Sequence, residues 1–148
     1  MRCISQAVCL VLGSILGTGC HSPVHPAPEY GMPNARYRLD GVVTARPTGR
    51  PIPGIRFFLS RDERPDSSAV TTSGADGSWR LDTTALPCGD GCGVVASDVD
   101  GPENGGSFTP TTVPLRLTQT GRGDGHWDHG TFEQHGISVS LDPQARNK

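Results

Sequence analysis

The chain has 148 residues, a formal net charge of −2, 20 glycines and 13 prolines, and only 5% of its residues are aromatic. This length fits one ordinary domain with a single core. Because the chain lacks the strongly basic field that non-specific nucleic-acid binding requires, we predict no nucleic-acid partner.

The first twenty residues have the pattern of a secretory signal. A positive start at Arg2 is followed by an apolar stretch at 7–16 and by the small residues Gly17, Thr18 and Gly19. The apolar stretch is shorter than the roughly 20 residues that a membrane-spanning helix needs. We therefore predict a signal peptide at 1–19 and an exported protein with no transmembrane anchor.

Cys20 is the predicted lipidation site, since the small residues before it resemble a bacterial lipobox. Gly17 stands where that motif usually has leucine, and a plain secretory cut near Gly19 is the alternative. Three prolines in the segment 21–28 favour an extended tether, which supports lipidation. We predict a lipidated terminus and tether at 20–36, and a membrane-anchored envelope lipoprotein on the periplasmic or outer-membrane side, secreted if it is not lipidated.

The mature chain consists of short alternating runs separated by turn residues. In the first run Tyr37, Leu39, Gly41 and Val43 share one face of a strand, because side chains two residues apart point the same way. The predicted strands are 37–45, 54–60, 69–72, 78–82, 93–97, 113–117 and 136–141. With no run of helical period, this spacing predicts an all-β, seven-stranded immunoglobulin-like sandwich over 37–142 and a tail at 143–148.

Two segments resemble the carboxypeptidase-regulatory-like, or transthyretin-like, domains. Their opening strand, turn and second strand are similar to L-D-G-V-V-T-A-R-P-T-G-R-P-I-P-G-I-R-F-F-L at 39–59, and their next hairpin to G-A-D-G-S-W-R-L at 74–81. The resemblance implies the same seven-stranded sandwich.

A narrower resemblance is to the radical SAM-associated lipoprotein family. It is carried by E-Y-G-M-P-N-A at 29–35, by G-x-P-I-P-G-I-R, and by D-V-D-G-P-E-N-G-G at 98–106. The resemblance implies an anchored sandwich beside a radical-enzyme system, and it implies no iron–sulfur chemistry within this chain.

Cys88 and Cys92 bracket Gly89, Asp90 and Gly91, which permit a sharp chain reversal. In an oxidising compartment this spacing favours a disulfide. A free thiol pair or half of a metal site is the alternative, but a zinc site normally needs four ligands and the mature chain has no second cysteine pair.

Two polar segments are candidate metal sites. Oxygen ligands from Asp98, Asp100, Glu103 and Asn104 would suit Ca²⁺, with a solvated acidic turn as the alternative. Imidazoles from His126, His129 and His135 would suit a transition metal, with a mobile polar loop as the alternative.

We expect no enzymatic activity, since the sequence has neither a G-x-S-x-G elbow nor a phosphate-binding loop leading into a helix. Transthyretin-like hydrolases carry a His/Arg set and a Y-R-G-S motif that this sequence lacks. The predicted function is an anchored sandwich that binds a protein, a glycan or an ion. Two alternatives stay open: a small secreted metalloenzyme that uses the histidine-rich loop, and modification of this chain by a radical SAM enzyme.

Overall fold

The structure, a computed structural model, describes residues 31–62 and 64–145. The predicted signal peptide at 1–19, Cys20 and most of the predicted tether lie outside these residues. Within the described ranges, no helix is long and apolar enough to cross a membrane.

Eight strands and one short 3-10 helix, Gly89–Gly91, make up the regular structure of the described residues. The strands are β1 (Asn34–Ala45), β2 (Ile55–Arg61), β3 (Arg64–Thr72), β4 (Ser78–Ala85), β5 (Cys92–Asp98), β6 (Thr111–Pro114), β7 (Thr118–Gly121) and β8 (Asp128–Leu141). They form two four-stranded sheets with the orders β4-β1-β8-β7 and β3-β2-β5-β6. The predicted all-β sandwich is confirmed, and β7 is an edge strand beyond the seven that the sequence predicts.

The core lies between the two sheets, where every second residue of the central strands is buried. Leu39 and Val139 from one sheet and Phe57 and Val94 from the other are each at most 1% exposed. Phe57 stacks on Trp79 across the interface with ring centroids 4.2 Å apart. Full burial of each such side chain contributes about 1.5–3 kcal/mol, so these residues hold the sheets together.

The first and last strands, β1 and β8, pair in parallel along most of their length. At Gly41 the strands approach so closely that a Cβ atom would lie 2.0 Å from the carbonyl oxygen of Ile137. The register shifts at this point, so that His135 and Gly136 together oppose Asp40. This bulge directs the outward side chains of β8 toward the acidic side chain of β1.

The strand directions give the sandwich two distinct ends. The entry end is where β1 begins, and it comprises residues 31–33 with the connections 86–91, 115–117 and 122–127. The far end comprises the connections 46–54, 73–77 and 99–110. The first described residues therefore lie at the end opposite the acidic loop.

Several boundaries differ from the sequence predictions. β1 begins at Asn34 rather than at Tyr37, because Ala35 is fully buried and pairs with Ala85. β8 begins at Asp128 rather than at residue 136, since pairing with β1 draws polar residues into the strand. The predicted tail begins against the sandwich, where Gln144 N–H donates a 2.8 Å hydrogen bond to the carbonyl of Ser107.

Candidate functional site

The acidic loop between β5 and β6 is closed by the side chain of Asp98. Asp98 Oδ1 accepts hydrogen bonds from the backbone N–H groups of Asp100 and Gly101, each at 3.1 Å. Its Oδ2 accepts a third from the N–H of Phe108 at 2.9 Å. Both ends of the loop are thereby tied to one carboxylate.

Of the other predicted calcium ligands, Asp100 and Asn104 are brought into direct contact, with Asn104 Nδ2 donating to Asp100 Oδ2. Glu103 is exposed. The loop rests on Gly54, whose φ of +81° suits glycine and where a Cβ atom would lie 2.6 Å from Asp100 Oδ2. Among the described residues, no group of three or more His, Cys, Asp or Glu side chains is placed to hold a metal ion. Calcium binding at this loop stays a prediction.

A cleft of about 500 Å³ opens at the far end beside the acidic loop. Its lining includes Arg46, Thr48, Arg50, Ile52, Asn104, Phe108 and Pro143. Ile52 and Phe108, which are 2% and 6% exposed, contribute apolar lining, and Arg46 and Arg50 contribute positively charged residues. No sequence pattern predicted this cleft, although the R-P-T-G-R-P-I-P segment at 46–53 contains most of its side chains.

The three predicted metal-binding histidines lie in different surroundings. His126 follows Asp124, whose Oδ1 accepts hydrogen bonds from three consecutive backbone N–H groups. His129 lines a cleft at the entry end, and His135 contacts one carboxylate of β1, Asp40, and one of β8, Glu133. The structure does not gather the three imidazoles, and transition-metal binding stays a prediction.

A charged cluster that the sequence analysis missed covers the outer face of β4, β1 and β8. Arg36 forms a bidentate ion pair with Asp82, in which Nε and Nη2 of the arginine lie 2.9 and 3.0 Å from the two carboxylate oxygens. Arg38 Nη1 donates a hydrogen bond to Glu133 Oε1 at 3.0 Å. The hydrogen bonds from Arg36 lower the pKa of Asp82 below its usual value. The only local signal is alternation of charged residues along β1, which does not reveal their partners.

His135 joins this cluster through its contacts with two carboxylates. Its Nδ1 lies 2.5 Å from Asp40 Oδ2, its Nε2 lies 3.3 Å from Glu133 Oε2, and Gly136 N–H donates to Asp40 Oδ1 at 3.0 Å. The two carboxylates, Asp40 foremost, raise the pKa of His135. The pKa of Asp40 is lowered, mainly by the Gly136 N–H and then by His135.

The predicted disulfide between Cys88 and Cys92 is confirmed, with Cα atoms 5.1 Å apart. It borders an entry-end cleft of about 660 Å³ whose walls include Tyr37, Leu115 and Phe132. The Tyr37 hydroxyl accepts the N–H of Cys88 at 3.1 Å, and burial raises the pKa of this tyrosine. The bridge closes the β4–β5 connection, and the Tyr37 hydroxyl ties this connection to β1.

Comparison with known proteins does not assign this chain to a family. No protein-family model matches the chain, and no curated protein matches it. A crystal structure of the major pilin subunit of Bacillus cereus is similar over 72% of this chain, with 14% sequence identity and a TM-score of 0.39. This chain covers 28% of the length of that pilin, and a similarity of this extent identifies no shared function.

Proposed function

We propose that this protein is a membrane-anchored envelope lipoprotein whose sandwich is a non-catalytic binding module, and that its far-end cleft binds an acidic glycan. The observation that carries the proposal is the position of two arginines, Arg46 and Arg50, in a cleft with apolar walls. Small concave sites that combine apolar walls with a few polar groups are the usual form of a ligand-binding site.

The two guanidinium groups are available to a ligand. Arg46 contacts Asp142 only at 3.6 Å, and both side chains are about 60% exposed, so this ion pair is weak. Among the described residues, no carboxylate lies within salt-bridge distance of Arg50. Guanidinium groups bind carboxylates through two parallel hydrogen bonds, which favours a ligand that carries carboxylates.

The position of the cleft supports this assignment. β1 begins at the end of the sandwich opposite the cleft, so a lipid on Cys20 would leave the cleft unobstructed. Acidic glycans of the envelope would then be within its reach. The Cys88–Cys92 disulfide is compatible with an exported protein.

The proposal includes an association with a radical SAM enzyme system, supported by the segments at 29–35 and 98–106. Comparison of the intact masses of the native protein and of protein produced without its gene neighbours tests whether such an enzyme modifies this chain. A mass difference beyond lipidation would favour modification, and identical masses would argue against it.

Binding by the far-end cleft is tested by co-sedimentation of the protein with purified peptidoglycan, an acidic glycan polymer. The Arg50→Gln variant should bind about tenfold more weakly, because it loses charge-assisted hydrogen bonds. Arg56→Gln is the matched control, since Arg56 is an exposed arginine of β2 outside the cleft. Equal binding by Arg50→Gln and the unmodified protein, or no binding by either, would refute this ligand assignment.

A further inference from the structure

We propose that the entry end of the sandwich docks on the lipid bilayer through Met32, Leu86 and Trp127, which we call the entry patch. The inference rests on the proposed function, because the lipid on Cys20 would bring the domain to that bilayer. The lipid alone would attach the domain to the membrane at one point. The entry patch would add a second, non-covalent contact with the membrane and would fix the orientation of the domain.

The entry patch consists of apolar side chains that are exposed at one end of one sheet. Met32 is 74% exposed, Trp127 is 44% exposed and Leu86 is 37% exposed. Asn34 N–H donates a 2.7 Å hydrogen bond to the carbonyl of Trp127, and Ala35 pairs with Ala85, the residue before Leu86. The three patch residues therefore lie at the same end of three adjacent strands, β4, β1 and β8.

The backbone holds Trp127 in this exposed position. Asp124 Oδ1 accepts hydrogen bonds from the N–H groups of His126, Trp127 and Asp128 at 2.8, 3.0 and 2.9 Å. On its other side the indole packs on Gly31, where a Cβ atom would lie 3.4 Å from Trp127 Cδ2. A large aromatic side chain is thus fixed at the surface with nearly half of its area open to solvent.

The short tether favours the bilayer over a protein partner as the occupant of the entry patch. Ten residues separate Cys20 from Gly31, so the patch lies no more than about 40 Å of extended chain from the lipid. Gly31, the first described residue, lies against Trp127, so a protein bound at the patch would have to share this surface with the segment that leads into β1. The bilayer already lies at the other end of the tether, which raises its effective concentration at the patch.

The chemistry of the patch also suits a bilayer surface. Tryptophan is enriched where membrane meets water, because its ring is apolar and its N–H can bond to headgroups or water. The connections at the entry end contain two arginines, Arg116 and Arg122, and two aspartates, Asp90 and Asp124, so this end has no strong charge preference. We therefore expect shallow insertion that depends on apolar contact more than on anionic lipid.

The test uses the lipidated protein, purified from cells and reconstituted in phosphatidylethanolamine–phosphatidylglycerol vesicles with ordinary or brominated acyl chains. The chain has two tryptophans, and Trp79 is only 3% exposed in the core. Brominated chains should reduce the fluorescence of the unmodified protein, and this loss should disappear in Trp127→Phe. Val99→Ser is the matched control, because Val99 is 51% exposed at the far end and its loss should leave the quenching unchanged.

Equal fluorescence in the two kinds of vesicle would overturn the docking proposal. Quenching that persists undiminished in Trp127→Phe would overturn it as well. Measurement of the intact mass of the purified protein distinguishes failure of the docking proposal from absence of the lipid anchor. If the purified protein carries no acyl mass, the anchor is refuted, and docking is then judged by the same quenching after the protein is mixed with preformed vesicles.

Discussion

At the scale of single residues, Asp98 controls the conformation of the acidic loop. Its two carboxylate oxygens accept three backbone N–H groups, one of them from Phe108 at the far side of the loop. A carboxylate that accepts several backbone N–H groups forms strong, charge-assisted hydrogen bonds. The same side chain thus positions Phe108 in the wall of the far-end cleft.

Replacement of Asp98 by alanine should lower the free energy of unfolding by about 2 kcal/mol, because three N–H groups lose their acceptor. Denaturant unfolding of the purified protein measures this loss. Glu103→Ala is the control, since Glu103 is exposed in the same loop and its removal should change stability by no more than about 0.5 kcal/mol. Equal stability of the two variants would show that Asp98 does not close the loop.

At the scale of elements, the parallel pairing of β1 with β8 brings together side chains that are 95 residues apart in the chain. Asp40 accepts hydrogen bonds from both residues of the β8 bulge, His135 and Gly136. Arg38 on β1 contacts Glu133 on β8 in the same way. The outer face of the sheet is therefore held by charged contacts that cross the seam between the first and last strands.

We call the contacts of Asp40 and Arg38 on β1 with His135 and Glu133 on β8 the seam. These charged contacts should make the stability of the folded protein depend on pH. Because folding raises the pKa of His135, its contribution is fully present below its unfolded pKa of about 6.5 and is lost as the pH rises through the folded pKa. Folding lowers the pKa of Asp40 and of Glu133, so their contributions are present above their unfolded pKa values and are lost as the pH falls through the folded values. The seam should be strongest between about pH 5 and pH 6.5.

Thermal melts of the unmodified protein and of His135→Asn across this range check the prediction. The unmodified protein should have the higher midpoint near pH 6, and the difference should shrink toward pH 9. His126→Asn is the control, because His126 is an exposed loop histidine outside the seam. A difference between the unmodified protein and His135→Asn that is constant with pH would contradict the charged seam.

At the scale of the whole molecule, the proposed lipid on Cys20 decides where the sandwich is located. Cys20→Ala should move the protein from the membrane fraction to the soluble fraction, because acyl chains supply most of the affinity of an anchored protein for its membrane. Fractionation with palmitate labelling measures both effects. If the variant fractionates like the unmodified protein and neither incorporates palmitate, the anchor is refuted, whereas secretion is not.

Much of the fold is predictable from local sequence. The alternation of Tyr37, Leu39 and Val43 predicts β1 and its buried face, and all three residues lie in the core. The inward pair Trp79 and Leu81 of β4 is predicted by the same period of two. β7 and the first half of β8 could not be predicted in this way, because their side chains are mostly polar or exposed. These segments form strands through their pairing with neighbouring strands.

The all-β class, most of the core and the Cys88–Cys92 bridge can be predicted from residues that are close together in the chain. The parallel pairing of β1 with β8, the contact between His135 and Asp40, and the cleft that Phe108 shares with Arg46 and Arg50 require the packed structure. Strand alternation specifies which face of a strand is buried, but it does not specify which strands become neighbours. Clefts and side-chain clusters that combine residues distant in the chain therefore form only when the two sheets are packed together.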